Sequence, residues 1–340
     1  MMGGGRARHR SERLRRARPL SVEGSQASAS VDRAVAAIDC GTNSTRLLIA
    51  AGDGRTLDRR MLITRLGAGV DRSGRLQPAA IRRTLDVLEE YQRAISAASV
   101  VNVRAVATSA LRDAANAPSF LDPAALALGT ELDVLSGVEE GRLSYRGATS
   151  ELSREGDPYL VVDVGGGSTE LVTVLVGGSI EVISVDVGCV RVTERFFAGD
   201  PPTGAELRAA RAHVRGLLDG ARAGRPALAD ARTIVGVAGT VSALTMLSVG
   251  LESYDRSAVH HARLARSEVA RLLDELAAVT LEERRARSGM EHDRADVIVG
   301  GALVLLTVLQ VFDGEELVVS ESDILDGIVA ELLEGPAQAS

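Results

Sequence analysis

The chain contains no lysine: all 39 of its cationic side chains are arginine. A P-loop needs a lysine on its phosphates and a Schiff base needs an ε-amine, so neither chemistry is available. Aromatic residues make up only 2% of the sequence, which leaves few platforms on which a base could stack. The two cysteines, Cys40 and Cys189, form no CxxC pair, excluding a disulfide framework and a cysteine-based zinc site. Small buried thiols in a reduced cytoplasm are the expectation. No membrane span is expected either. The apolar run VIVGGALVLLTVLQVF, at 297–312, falls short of the roughly 20 residues a bilayer needs. Asp293, Asp296 and Asp313 flank it, so a fully buried core helix is expected.

What is present suffices for two domains: 340 residues with 45% apolar content can build two well-developed cores. The first thirty residues stand apart, with seven Arg against two Glu among Gly and Ser and no hydrophobic periodicity. No apolar stretch of signal-peptide type follows, so residues 1–30 are expected to be a disordered basic tail. Against a net charge of −7 for the whole chain, the remainder carries −12. Such an acidic body does not suit general nucleic-acid binding, and any polyanion must meet a local basic cleft.

Strand-like and helix-like segments alternate. VAAID and RLLIAA are strands around a turn, and TRLGAGV is a strand end with a glycine loop. Helical spacing over QPAAIRRTLDVLEEYQRAISAA, with Pro78 near its start, predicts a helix, and VVNVRAVAT a strand. SALRDAANAPSFL is expected as one helix, and VEEGRLSYRGATSEL as another. The polar run SREGDP, 153–158, marks a boundary. The pattern predicts an α/β protein with mixed sheets. Lobe I takes 31–152 and lobe II 153–321, and a final helix at about 322–334 packs back on lobe I.

One motif is written twice. AIDCGTNSTR at 37–46 and VVDVGGGSTE at 161–170 both give Asp-x-Gly-x-x-Ser-Thr after an apolar strand, with Asp39 and Asp163 in matching positions. An aspartate at a strand end projects into the crevice where α/β folds bind ligands. Glycines in the turn let backbone N–H groups converge on an anion, and the hydroxyls add donors. An Asp-Gly hairpin explains one copy. Two copies in register predict facing turns that clamp a chain of phosphates.

These turns resemble the paired phosphate loops of the actin-like superfamily. The whole chain is similar to the exopolyphosphatase/guanosine pentaphosphate phosphohydrolase (Ppx/GppA) family in its short two-domain form. The resemblance rests on AAIDCGTNSTRLLIA, AVATSALRDAAN, LSGVEEGRLSYRGA, VVDVGGGSTELV, VGCVRVTERF, GVAGTVSAL and RADVIVGGALVL, in the family's order over about 34–332. It implies two duplicated actin-like (ribonuclease H-like) lobes, with helix-flanked mixed sheets, around an interlobe cleft. It also implies a homodimer and release of terminal orthophosphate from inorganic polyphosphate. Hydrolysis of guanosine pentaphosphate at its 5′-phosphate is the alternative, and an actin-like ATP kinase or filament protein a more distant one.

Phosphoanhydride hydrolysis needs positioning, charge neutralisation and a base for water. Ser136-x-x-Glu139 spells a capping box, which engages Glu139 and leaves Glu140 pointing elsewhere. The helix dipole is expected to keep Glu140 ionised as the general base. By resemblance Glu140 is also the family's base, followed here by Gly141 where the family usually has Ala. The resemblance further implies Mg²⁺, or another divalent ion, on Asp163 and Glu170 with Asp39 opposite. Oxygen ligands suit that ion. Phosphate contacts are expected from Asn43, Ser44 and Thr45 in the first loop. Gly165, Gly166, Gly167, Ser168 and Thr169 supply them in the second. Thr108 and Ser109 open a helix N-terminus, with Arg112 one turn in to fork onto a phosphate, and Gly239 and Thr240 open a third. Arg191 and Arg195 are further candidates for the cleft wall. His260 and His261 are expected to be a surface pair with no metal.

Overall fold

A computed structural model describes residues 33–156, 158–175 and 177–335; the tail expected at 1–30 lies outside them. Strands β1 Val35–Cys40, β2 Ser44–Ala50, β3 Thr56–Ile63, β4 Asn102–Ala107 and β5 Leu132–Val134 form one sheet in the order β3-β2-β1-β4-β5. Strands β6 Tyr159–Val164, β7 Thr169–Val174, β8 Ile180–Val185, β9 Thr233–Val237, β10 Arg263–Ala265 and β11 Glu316–Val319 form another. Its order is β10-β11-β9-β6-β7-β8. Both sheets begin with three antiparallel strands that continue into two parallel neighbours, and the second adds β10, antiparallel to β11, at its far edge. The repeat extends to the register. Asp39 lies opposite Arg46, and Asp163 opposite Glu170. Two related α/β lobes result.

Strands β1 and β6 are buried at every residue, as central strands covered on both faces must be. Strand β3 (TLDRRMLI) escapes the sequence reading because it carries Asp58, Arg59 and Arg60 at a sheet edge. Charges there blunt pairing with other chains. The helix expected from Ser109 onward is broken into Ser109–Asp113 and Pro118–Leu128. Pro118 has no N–H to continue the first helix and starts the second at its N1 position. Helix Ile298–Val311 is buried nearly all round, and no helix among the described residues is long and apolar enough to cross a membrane.

Two elements join the halves. Helix Gly137–Thr149 packs against β7 and β8 on one side and against the last helix, Ile324–Glu334, on another. The last helix in turn places Ile324, Leu325, Ile328 and Val329 on Val35, Ala37, Leu48 and Val106 of the first sheet. A chain end more than two hundred residues away in sequence thus closes one face of β1.

Candidate active site

The ends of β1 and β6 face each other across a cleft of about 630 Å³, and Asp39 and Asp163 both line it. The turns are built alike. Gly41 N–H donates to Ser44 O at 3.0 Å, and Gly165 N–H donates to Ser168 O at 3.0 Å. Gly166 lies directly against the first turn. A Cβ there would stand 2.8 Å from Thr42 Cβ and 3.2 Å from Asn43 N, so only glycine permits this closure.

Of the residues expected to contact phosphate, Asn43, Ser44, Thr108, Ser109, Gly165, Gly166, Ser168 and Gly239 line the cleft. Both polar atoms of the Asn43 side chain are buried without a hydrogen-bond partner. The remaining residues are placed otherwise. Thr45 and Thr169 are strand residues next to Ser44 and Ser168, and strand alternation turns them inward. Thr45 Oγ1 bonds Thr64 Oγ1 at 2.8 Å, and Thr169 Oγ1 donates to Val187 O at 2.5 Å. Thr240 is buried against Gly301. Gly167 borders a smaller opening of about 260 Å³ shared with Asp71, Asp113 and Arg191.

Glu139 forms the expected capping box with Ser136, and Glu140 enters the cleft. Its ionisation differs from the expectation. Burial dominates the helix dipole and pushes its pKa up to about 7, opposed by Arg112 and reinforced by Asp163 and Asp39. Arg112 engages this carboxylate through one of its guanidinium nitrogens. Its Nη1 donates to Glu140 Oε2 at 2.7 Å and to Leu135 O at 2.8 Å.

The acidic set is arranged asymmetrically. Asp163 Oδ2 accepts from Ser144 Oγ at 2.7 Å, and Glu170 Oε1 accepts from Ser184 Oγ at 2.7 Å. Burial raises Asp163 to about 6 and Glu170 well above the usual carboxylate range, with Glu140 and Asp163 adding to the latter. Asp39 is raised by burial too, against the pull of Arg46, whose Nε donates to Asp39 Oδ2 at 2.9 Å. Asp39 Oδ1 and Glu170 Oε2 remain buried acceptors without donors. Such orphan oxygens suit a hard divalent cation. Among the described residues no three acidic, histidine or cysteine side chains form a complete cage, so an ion would share its shell with water and phosphate oxygens, as Mg²⁺ commonly does.

Sequence reasoning missed two cleft arginines. In the sequence Arg46 was visible only as the motif position at which the second copy has Glu170. Its guanidinium bridges Asp39 and Asp323. Arg294, from RADVIVGG, lies under Gly239 and bonds Glu291 Oε2 at 2.8 Å. A lone arginine ahead of an apolar helix was the available signal. Ala238, beside Gly239, adopts φ +70°, a left-handed conformation that costs a non-glycine residue about 1–2 kcal/mol and clusters at functional loops. Arg191 and Arg195 instead bind Asp71, away from the main cleft. His260 is half-buried, stacked on His261 at 3.8 Å and accepting from Glu321 N–H, rather than part of a surface pair.

Twin sheets whose facing glycine turns meet over buried carboxylates and arginines define a two-lobed α/β protein built to bind phosphoryl groups. The model of the Ppx/GppA phosphatase family matches residues 48–335, and the chain belongs to that family. It is 44% identical over 314 residues to Exopolyphosphatase 2 of Mycobacterium tuberculosis, covering 88% of this chain and 98% of that one. The crystal structure of an exopolyphosphatase-like protein superposes with a TM-score of 0.84 at 38% identity, covering 88% and 99% of the two chains. A guanosine-5′-triphosphate,3′-diphosphate pyrophosphatase of Aeromonas hydrophila is 29% identical over 303 residues, covering 88% of this chain and 59% of the relative.

Proposed function

We propose that the protein is an exopolyphosphatase that removes terminal orthophosphate from inorganic polyphosphate. One observation carries the reading: both copies of the phosphate-loop motif and Glu140 line a single cleft. Water attacks the end phosphorus, the bridging P–O bond breaks, and the shortened chain leaves with the bond electrons. Glu140 takes the proton from the attacking water. Asn43, Ser44 and the backbone N–H groups of the two turns hold the end phosphates, while Arg46 and Arg294 offset the negative charge further along. Asp163 and Glu170, with Asp39 opposite, would hold Mg²⁺, which when bound neutralises charge on phosphate oxygens. Two buried free thiols suit a cytoplasmic setting.

The test is orthophosphate release from polyphosphate by the purified protein beside Glu140→Gln. Loss of the base is expected to lower kcat about 10²–10⁴-fold; equal rates would overturn the assignment. The alternative substrate, guanosine pentaphosphate, shares the cleft's phosphate chemistry. Giving both substrates to one preparation decides between them by which inhibits turnover of the other at lower concentration.

A further inference from the structure

Helix Gly137–Thr149 contains three glycines besides Glu140, although glycine weakens a helix interior relative to alanine. Each of the three meets a neighbour at close range. Gly137 lies against Ser184, the donor to Glu170, and Gly147 lies against the backbone of Asp323. Gly327 of the last helix abuts Leu143 O in the same crossing. Gly141 follows Glu140 directly. A Cβ on it would stand 2.7 Å from Val182 Cγ1 and 2.9 Å from Val172 Cγ2, both on the second sheet. The helix is therefore clamped between that sheet and the last helix.

We propose that Gly141, standing where the family usually has Ala, is a positioning residue for Glu140 that is matched to this chain's own Val172 and Val182. By lacking a side chain it lets the helix settle on Val172 and Val182, and that approach sets how far the Glu140 carboxylate enters the cleft. A methyl group at 141 cannot be absorbed by retreat, because Gly147 and Gly327 already bring the two helix backbones into contact. The helix must tilt or lift, and Glu140 moves with it. The third neighbour, Glu170 Cβ, stands at 3.6 Å, an ordinary van der Waals distance, so the strain falls on the two valines rather than on the strand end that leads from the second turn. This inference rests on the role proposed above for Glu140.

The experiment compares steady-state polyphosphate hydrolysis by the wild type, Gly141→Ala, Val182→Ala and the double variant, with circular dichroism and thermal melts on each. Gly141→Ala is expected to lower kcat about 10–100-fold, as a misplacement near 1 Å does, with KM nearly unchanged. The double variant, which removes the opposing methyls, is expected to recover most of the loss. Val182→Ile, which presses on the helix from the sheet side, is expected to lower kcat in the same way. It stands in should Gly141→Ala fail to fold. Unchanged kcat in Gly141→Ala or Val182→Ile, a loss that Val182→Ala does not relieve, or a loss carried by KM would overturn the proposal. A wild type inactive on polyphosphate would instead overturn the function on which it rests.

Discussion

At the scale of the residue, Glu140 balances two opposing influences. Burial holds its pKa at about 7, while Arg112, 2.7 Å away, favours the ionised form. A general base works only when deprotonated, so activity is expected to fall as pH drops through this region. Arg112→Gln removes the lowering influence, leaves the burial, and should move the acid limb of the kcat profile to higher pH. Rates well above the limb should suffer less than rates at neutral pH. A pH–rate profile checks this, and an unmoved limb would separate Arg112 from the ionisation of Glu140. That Glu139 is tied into the helix cap while Glu140 is left for the cleft was legible in the spacing Ser136-x-x-Glu139, because a capping box is a local feature. Its raised pKa was not legible. That follows from burial in a cleft to which distant segments contribute, including Asp163 and Gly166.

At the scale of the element, the adjoining ends of β6 and β7 bring Asp163 and Glu170 side by side with both pKa values raised, Asp163 to about 6. The sign follows from proton linkage. A carboxyl with a folded pKa above its unfolded value binds more protons when folded. Its penalty is absent below the unfolded value near 4 and complete above the folded value. From about pH 4 upward, through about pH 6 for Asp163 and beyond the usual carboxylate range for Glu170, the strand pair therefore loses stability as pH rises. A divalent cation bound to ionised oxygens relieves that loss, and relieves it most where the groups would otherwise be ionised and unshielded. Thermal melts with and without Mg²⁺ are expected to show a larger rise in Tm at pH 8 than at pH 5.5. Equal rises would indicate that the ion does not act through these carboxylates. The twin strand ends were legible because a seven-residue motif repeats with its register. The inward turn of Thr45 and Thr169 was obscured by grouping both with the phosphate-contacting loop residues, when Ser44 and Thr169 already begin strands. Edge strand β3 was hidden by its charges, since alternation of apolar residues reports burial on one face and an exposed edge has little of it.

At the scale of the whole molecule, the lobes are drawn together beside the cleft by contacts that no local pattern reveals. Arg191 and Arg195, on helix Cys189–Phe196, both bond Asp71 of the first lobe, at 2.9 and 2.6 Å. Between them in sequence, Glu194 accepts from Gly69 N–H at 2.9 Å. Arg65 reaches across to Asp296 at 3.0 Å, and Gly166 rests on Thr42. Exposed ion pairs contribute little singly, but Asp71 is largely buried and serves two arginines at once. Asp71→Ala removes both contacts and spares Asp39, Asp163 and Glu140; Arg191 keeps its bonds to Asp113 and to Gly167 O of the second turn, so Arg195 is the arginine it frees outright. A more open arrangement of the lobes should then gain population in the free protein. A larger radius of gyration by small-angle scattering is then expected without substrate, with contraction toward the wild-type value when polyphosphate is added. Kinetically, work once done by the ion pairs falls to substrate binding, so KM should rise several-fold while kcat at saturation changes little. Identical scattering and an unchanged KM would mean that the meeting of Gly166 with Thr42 holds the lobes closed without Asp71. Gly166→Ala, whose Cβ would press on Thr42, would then be the variant expected to open them.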